Sequence, residues 1–196
     1  MSNKTGNITR IIACAVFKPA LNNLELEKRY PNLRLTYLPS YLHLKPQELK
    51  NRLRKELASI KKSNERIICL YGECFSGIDD FCQQNGVLKV PGHYCYEMLL
   101  GSERFRQLIE ETTGTYFAEK DLLLNFEEYC VRPLELQDEE MRRCCFGQYH
   151  RLLYVRQPSD PDLMPRADEV ADFLGLSLDI SDVDYSHLER QLIELL

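Results

Sequence analysis

Five residues of the types that bind metals or attack substrates are spread along the first half of the 196-residue chain: Cys14, His43, Cys74, His93 and Cys95. Zinc is bound by cysteine thiolates and imidazoles, and three cysteines with one further ligand can hold an iron–sulfur cluster. Only His93 and Cys95 are close in sequence, and the chain has no CxxC pair. The fold must therefore bring these residues together if they form a site.

Strand and helix patterns alternate along most of the chain. Short apolar or alternating runs predict strands at residues 8–17, 33–38, 66–71, 87–90, 115–117, 151–155 and 176–180. Helical spacing and breaker residues predict helices at 19–30, from 46, at 76–84, from 97 or 102 to 112, and at 121–130, 137–146, 162–174 and 185–196. This alternation predicts an α/β fold, a three-layer sandwich with a mostly parallel, Rossmann-like sheet.

One segment departs from the alternation. Residues 118–149 contain helical patterns without a clear strand, which predicts a helical insertion packed on the sheet. The chain contains no linker long enough to separate two domains, so we expect a single α/β domain over residues 1–196.

The predicted sheet places the five reactive residues at one edge. In an open parallel sheet, ligands bind beyond the carboxyl ends of the strands. The first strand ends near Cys14, the loop after the second contains His43, and the third runs into Cys74. The fourth is followed by His93 and Cys95. We therefore expect a zinc or iron–sulfur site at this edge.

Two other interpretations of this edge stay open. In a metal-free cysteine enzyme, Cys74 would be a low-pKa thiolate at a helix N-terminus, with His93 as its base and Glu73 orienting the imidazole. Alternatively, the edge is a non-catalytic pocket for a small ligand or cofactor, or a docking site for a partner, and its cysteines serve packing.

Further residues near predicted strand and helix ends have weaker signals. Ser102 has the character of a helix N-cap, and a helix N-terminus beside Arg104 could bind a phosphate or carboxylate. We count Gly72 with them as a ligand-binding position. Five cysteines remain: Cys69 and Cys82 are interpreted as packing residues, whereas Cys130, Cys144 and Cys145 are ambiguous and could cap the site.

Charge and hydropathy restrict the class of partner. The chain has 25 Lys and Arg against 30 Asp and Glu, a net charge of −5. Residues 1–98 have 15 basic and 9 acidic residues, net +6, whereas residues 99–196 have 10 and 21, net −11. The basic stretch at 45–66 lacks aromatic residues, so we interpret it as a solvated helix face and expect no nucleic-acid binding.

Several standard functions are disfavoured by missing motifs. GxGxxG, GxxxxGK[ST], GxSxG and HExxH patterns do not occur in the sequence. No apolar run approaches the roughly 20 residues that span a membrane, and the N-terminus has no apolar signal core. We expect a cytoplasmic protein without a membrane association, in which thiols are kept reduced.

Six short motifs occur in one order: Ile12-Ala13-Cys14, Leu42-His43-X-X-Pro46, Tyr71-Gly72-X-Cys74, Pro91-X-His93-X-Cys95, Leu100-Gly101-Ser102 with Arg104, and Gly114-Thr115-Tyr116. With these motifs the chain resembles the prokaryotic family called domain of unknown function 1638, over about residues 9–175. The family usually has His-Asp-Cys where this chain has His93-Tyr94-Cys95, so Tyr94 stands in place of the aspartate. A metal or activity that depends on that aspartate would differ here.

The resemblance implies a bacterial or archaeal protein, often of anaerobes. It also implies an accessory role in corrinoid-dependent methyl-group metabolism, with a corrinoid or a methyltransferase protein as the partner. This implication rests on the genes that neighbour such proteins, which is an association and not a mechanism. The Cys and His residues of the motifs are the same ones that the strand ends indicate independently.

Overall fold

The computed structural model describes residues 8–60 and 65–196, and the chain divides into two compact units. The first unit lies within residues 1–98 and 186–196, and the second covers residues 99–185. Each unit contains its own parallel sheet. The α/β class and the Rossmann-like, parallel character of the sheet structure are confirmed, but the seven strands form two sheets where the sequence predicted one. The single-domain expectation stays a prediction.

The first unit has four strands in the order β2-β1-β3-β4, and every pairing among them is parallel. The strands are β1 (Thr9–Cys14), β2 (Leu33–Leu38), β3 (Arg66–Leu70) and β4 (Leu88–Lys89). The helices are α1 (Lys18–Asn23), α2 (Leu26–Arg29), α3 (Pro46–Ile60), α4 (Ile78–Gln84), α5 (Cys95–Leu100, which runs past the unit boundary) and α10 (Ser186–Leu195).

The second unit has three strands in the order β5-β6-β7, and both pairings are parallel. The strands are β5 (Thr115–Ala118), β6 (Arg151–Arg156) and β7 (Ser177–Asp182). The helices are α6 (Ser102–Glu111), α7 (Lys120–Leu124), α8 (Glu139–Phe146) and α9 (Met164–Leu174), with a π-helical turn at Glu127–Val131. The segment 118–149 is helical as predicted, and it forms the crossover from β5 to β6.

Helix α3 shows how the apolar pattern produces a buried face. Leu49, Leu53 and Leu57 recur every four residues, and all three are buried. Arg52 and Arg54 lie on the opposite, exposed side. The predicted solvated basic face is therefore present over the described part of the helix, whereas the basic residues at 61 and 62 lie outside the described residues.

Three predicted helix boundaries are wrong, each for a local reason. The helix expected at 19–30 is two helices, because Glu25 has a left-handed backbone with φ of 48°. The helix expected at 121–130 ends at Leu124 and gives way to the π-helical turn. Ser102 is the first residue of α6 and not its N-cap, since Gly101, with φ of 87°, takes the capping position.

A buried carboxyl, Glu119, follows β5. Glu119 caps α7, where its two side-chain oxygens accept hydrogen bonds from the backbone N–H groups of Asp121 and Leu122 at 2.8 and 2.9 Å. Burial nevertheless raises the pKa of Glu119 to about 7. A carboxyl with a raised pKa binds its proton more tightly in the folded than in the unfolded state.

We expect this carboxyl to make the protein less stable as the pH rises. Its contribution to the free energy of unfolding should fall by about 2 kcal/mol between pH 5 and 7, because the unfolded chain has already lost the proton. Urea denaturation across this range measures the slope. Glu119→Gln should flatten it, and the exposed control Glu128→Gln should retain it. Equal slopes in all three proteins would refute the assignment.

Candidate functional site

The carboxyl edge of the first sheet is where the structure places most of the predicted site residues. Cys14 is the last residue of β1 and is buried. Glu73 and Cys74 follow β3, and His93 and Cys95 follow β4. All five residues belong to the first unit, so the parallel topology alone carries them to the same edge.

A hydrogen-bonded Glu–His pair is the best-defined feature of this edge. His93 Nδ1 lies 2.8 Å from Glu73 Oε1, and the Glu73 backbone N–H donates to the His93 carbonyl at 2.7 Å. The His93 backbone N–H donates to Glu97 Oε2 at 2.8 Å. The hydrogen bond from Glu73 raises the pKa of His93, since a carboxylate favours the imidazolium. The pair fixes the ring and leaves Nε2 as the nitrogen that can meet a ligand.

Gly72 allows the two loops of this edge to approach each other. A Cβ atom at this position would lie 2.4 Å from the His93 carbonyl oxygen and 3.0 Å from Tyr94 Cα. Real Cβ contacts are essentially never this short, so only glycine fits without moving backbone. The predicted role of Gly72 in ligand binding is not tested, but its role in positioning His93 follows from these distances.

Burial disfavours ionisation of the Cys74 thiol. Its side chain is half-buried, and burial raises its pKa, although a hydrogen bond with the Gly72 backbone and the charge of Lys89 act in the opposite direction. A nucleophilic cysteine needs a lowered pKa. Burial therefore opposes activation of Cys74, and a nearby base would have to remove its proton.

The hydroxyl of Tyr71 lies buried behind this edge. Ala13 of β1 is in register with Leu70 of β3, so Cys14 and Tyr71 are neighbours one step further along the two strands. Tyr71 is 1% exposed, and its hydroxyl has no hydrogen-bond partner among the described residues. Burial and the nearby thiols of Cys14, Cys69 and Cys74 raise the pKa of Tyr71 far above its ordinary value.

Two cysteines that the sequence assigns to packing are indeed buried, and they also contact each other. Cys69 on β3 and Cys82 on α4 are each 2% exposed, and their thiols are hydrogen-bonded. Lys89, in register with Cys69, pairs with Asp79 at 3.0 Å and donates to the Gly92 carbonyl at 3.3 Å. Neither Tyr71 nor Lys89 is among the site residues that the sequence predicts, since an apolar neighbourhood along the chain is the only signal that either side chain lies inside.

Other candidates lie apart from this pair. His43 is exposed in a 3₁₀ turn, with Nδ1 2.7 Å from the Ser40 carbonyl, and no hydrogen bond within the described residues connects it to His93 or Cys74. Arg104 pairs with Glu111 on its own helix, at 3.3 Å. Five candidates belong to the second unit: Ser102, Arg104, Cys130, Cys144 and Cys145.

The three cysteines of the second unit differ in environment. Cys130 is buried in the core of that unit, and its thiol lies 3.4 Å from the Tyr116 hydroxyl. Burial raises the pKa of Cys130. Cys144 is exposed on α8, and Cys145 packs partly against the same core.

No preformed metal cage is found in residues 8–60 and 65–196. In this part of the chain, no three side chains of His, Cys, Asp or Glu converge closely enough to hold an ion as they stand. The donor types at the edge nevertheless match those of zinc and of thiolate-bound clusters.

The fold and this edge define the class: an α/β protein of two compact units, each with a parallel sheet, with Cys, His and Glu residues at the carboxyl edge of the first sheet. The chain belongs to the family described as protein of unknown function (DUF1638), whose family model matches residues 37–192. Comparisons with curated proteins and with solved structures gave no match. Among the described helices, none combines the length and apolarity required to cross a bilayer.

Proposed function

We propose that the carboxyl edge of the first sheet binds a metal, zinc or an iron–sulfur cluster, through His93 Nε2 and the thiols of Cys74, Cys95 and Cys14. The observation that carries this proposal is the 2.8 Å contact between His93 Nδ1 and Glu73. A metal-binding histidine usually gives its second ring nitrogen to a carboxylate or carbonyl, which fixes the ring and increases its basicity. His43 also gives Nδ1 to a carbonyl, that of Ser40, but it is less favoured because no hydrogen bond within the described residues connects it to His93 or Cys74.

The proposal requires the thiols to rotate and to lose their protons when the metal binds. Thiolates and neutral imidazole are the forms that bind metal, so affinity should rise with pH. The raised pKa of His93 makes this dependence steeper near neutral pH, and the raised pKa of Cys74 extends it to higher pH. If the site is catalytic, the metal would supply Lewis acidity at an open coordination position.

Metal analysis of anaerobically purified protein tests this proposal. We expect a stoichiometric metal, a visible absorption band if an iron–sulfur cluster is present, and loss of the metal in Cys74→Ser and Cys95→Ser. The control Cys144→Ser changes an exposed thiol of the second unit and should retain the metal. A colourless, metal-free, fully folded protein that takes up no added zinc or iron would overturn it.

Glu73→Gln is expected to weaken metal binding by about 10- to 100-fold, because the carboxylate that orients His93 becomes an amide. Competition with a chromogenic zinc chelator measures the affinity. Glu48→Gln, which changes an exposed carboxylate of the same unit, is the control and should leave the affinity unchanged. Equal affinities in wild type and Glu73→Gln would show that the pair does not support a metal ligand.

Metal-free cysteine chemistry is the second candidate, and the same Glu73–His93 contact favours it. His93 would accept the Cys74 proton when substrate binds, with Glu73 holding the imidazole. In metal-free protein, alkylation of Cys74 by iodoacetamide near pH 7 should then be fast and should slow in His93→Ala. A Cys74 that reacts no faster than Cys144 and is indifferent to His93 would reject this function.

We also propose a cytoplasmic setting and a corrinoid or methyltransferase protein as the partner, on the basis of the family resemblance. The non-catalytic alternative predicts that a corrinoid raises the melting temperature of metal-free protein and that the shift survives Cys→Ser changes. Addition of hydroxocobalamin, followed by its absorption spectrum and by thermal denaturation, distinguishes thiol-dependent binding from thiol-independent binding. No change in either measurement would remove the corrinoid from the proposal.

A further inference from the structure

A pair of thiols lies between β3 and α4 in the first unit. Cys69 on β3 and Cys82 on α4 are each 2% exposed, and the Cys69 thiol donates a hydrogen bond to the Cys82 sulfur. Both cysteines are free. Their sulfur atoms would have to move only a little closer to form a disulfide, whose S–S bond is about 2.05 Å long.

The surroundings make the two thiols chemically different. Lys89 is in register with Cys69 on the neighbouring strand, so both side chains lie on the same face of the sheet. The hydrogen bond from Cys69 lowers the pKa of Cys82, and the charge of Lys89 acts in the same direction, although burial and Asp79 oppose it. The same hydrogen bond, together with burial, raises the pKa of Cys69. Cys82 is therefore the better nucleophile of the pair, and Cys69 holds its proton.

We propose that Cys69 and Cys82 form an oxidant-sensitive dithiol, which a hydroperoxide such as hydrogen peroxide converts into an intramolecular disulfide. The Cys82 thiolate attacks one peroxide oxygen, the O–O bond breaks, and Cys82 becomes a sulfenic acid while the departing hydroxide takes up a proton to give water. The Cys69 sulfur then attacks the Cys82 sulfur, the S–OH bond breaks, and a second water forms. The two thiols thus lose two electrons and two protons, and the peroxide is reduced to two waters.

Helix α4 gives the oxidant access to the buried pair. It has only seven residues, and Asp79, Asp80, Gln83 and Gln84 are exposed on its outer side. A helix this short is marginally stable by itself, so its local opening costs less free energy than global unfolding. Hydrogen peroxide is small and uncharged, and it reaches the thiols when α4 opens.

The disulfide fastens α4 to β3 and closes a ring around the loop of the candidate site. Glu73 and Cys74 lie between the two cysteines in the chain. Oxidation therefore restricts the loop that holds them, and it should raise the melting temperature because a disulfide constrains the unfolded chain. In a reducing compartment such a disulfide is transient, as is typical of redox-sensing pairs.

Peptide mapping of the full chain after treatment with hydrogen peroxide and alkylation of the remaining thiols tests the inference. Trypsin leaves Cys69, Cys74 and Cys82 on one peptide, so a protease that cleaves after acidic residues, at Glu73 and Asp80, must follow. We expect a linked pair of fragments that contain Cys69 and Cys82, and separation of the two by dithiothreitol. No disulfide, or a disulfide of Cys74 with either residue as the main product, would overturn the inference.

Substitutions test the order of the two steps. In Cys69→Ser the Cys82 sulfenic acid should be trapped by dimedone, whereas in Cys82→Ser residue Cys69 should stay unlabelled. Lys89→Met should slow disulfide formation by about three- to tenfold, because a nearby cation favours the thiolate. Lys45→Met changes an exposed lysine of the same unit and is the control. Labelling of Cys69 in Cys82→Ser, or equal rates in the two lysine variants, would contradict Cys82 as the nucleophile.

This inference does not rest on the proposed metal function, because Cys69 and Cys82 are not among the proposed ligands. Cys74→Ser should abolish metal binding and still form the Cys69–Cys82 disulfide on treatment with hydrogen peroxide. Absence of the disulfide in a Cys74→Ser protein that remains folded would contradict the direct reaction of the pair.

Discussion

Gly114→Ala is expected to lower the free energy of unfolding by about 4 kcal/mol. Gly114 has φ of 80°, a left-handed conformation that costs a residue with a Cβ about 1–2 kcal/mol. The new Cβ would also lie 2.4 Å from the Gln148 carbonyl oxygen and 3.3 Å from Tyr149 Cα. These are backbone atoms, so relief requires a shift of the loop before β6, and overpacking of this kind adds about 1–3 kcal/mol.

The loop displaced by this change also holds the start of β6. The Gly114 carbonyl accepts hydrogen bonds from the backbone N–H groups of His150, at 2.8 Å, and Arg151, at 3.4 Å. The Arg151 side chain is buried and contacts Thr115 Oγ1, the Leu108 carbonyl and Asp179. A shift between Gly114 and His150 therefore disturbs a buried guanidinium, which makes the penalty larger than backbone strain alone.

Gly175→Ala separates the cost of the left-handed backbone from the cost of the steric clash. Gly175 ends α9 with φ of 71°, the conformation that glycine commonly adopts after a helix, and a Cβ there would meet no atom within 4 Å. We expect a loss of only about 1 kcal/mol. Urea denaturation followed by circular dichroism measures both variants. If the two substitutions cost the same, the close approach to Gln148 contributes nothing.

The second large effect is expected at the candidate site. Gly72→Ala should lower the free energy of unfolding by about 3 kcal/mol and weaken metal binding more than 100-fold. The added methyl group would lie 2.4 Å from the His93 carbonyl oxygen, which also accepts the Glu73 backbone hydrogen bond. The loops after β3 and β4 must then separate, and the Glu73–His93 contact is lost with the imidazole orientation that depends on it.

Two measurements distinguish this result from a general loss of stability. The pKa of His93, raised by Glu73 in the native protein, should fall toward its ordinary value in Gly72→Ala, and NMR titration of the ring protons detects this without any metal. Gly77→Ala is the control: Gly77 also lies in a loop of the first unit, with φ of 76° and no atom within 4 Å of a Cβ. A Gly72→Ala protein with an unchanged His93 pKa would refute the positioning role.

The fold class and all seven strands could be predicted because each strand is a short apolar or alternating run between turn residues. The division into two sheets could not, since strand pairing depends on contacts between distant segments. β3 pairs with β1 and β4, whereas β5 pairs only with β6 among the described residues. The apolar pattern of β5, Thr115–Ala118, is the same whichever sheet it joins.

The side-chain contacts of the candidate site are likewise only partly predictable from the sequence. Strand order predicts that Glu73 and His93 follow neighbouring strands, and the two are indeed 2.8 Å apart. Their role in binding or catalysis stays a prediction. The burial of the Asp160 side chain was not predicted, because an aspartate between prolines in a loop resembles an ordinary turn residue. Asp160 contacts the Tyr154 hydroxyl and the Lys120 ammonium, and these contacts arise only in the folded chain.

Helix α10 is the last helix of the first unit to be synthesised. The chain leaves the first unit after residue 98, builds the whole second unit, and returns at Ser186. Leu188 and Leu192 are 0% exposed, and Gln191 and Leu196 contact Pro91 and Arg66 of the first unit. During synthesis, all residues of the second unit are therefore added before the last helix of the first unit. The first unit, whose sheet is synthesised first, therefore completes its core only after the second unit has been synthesised.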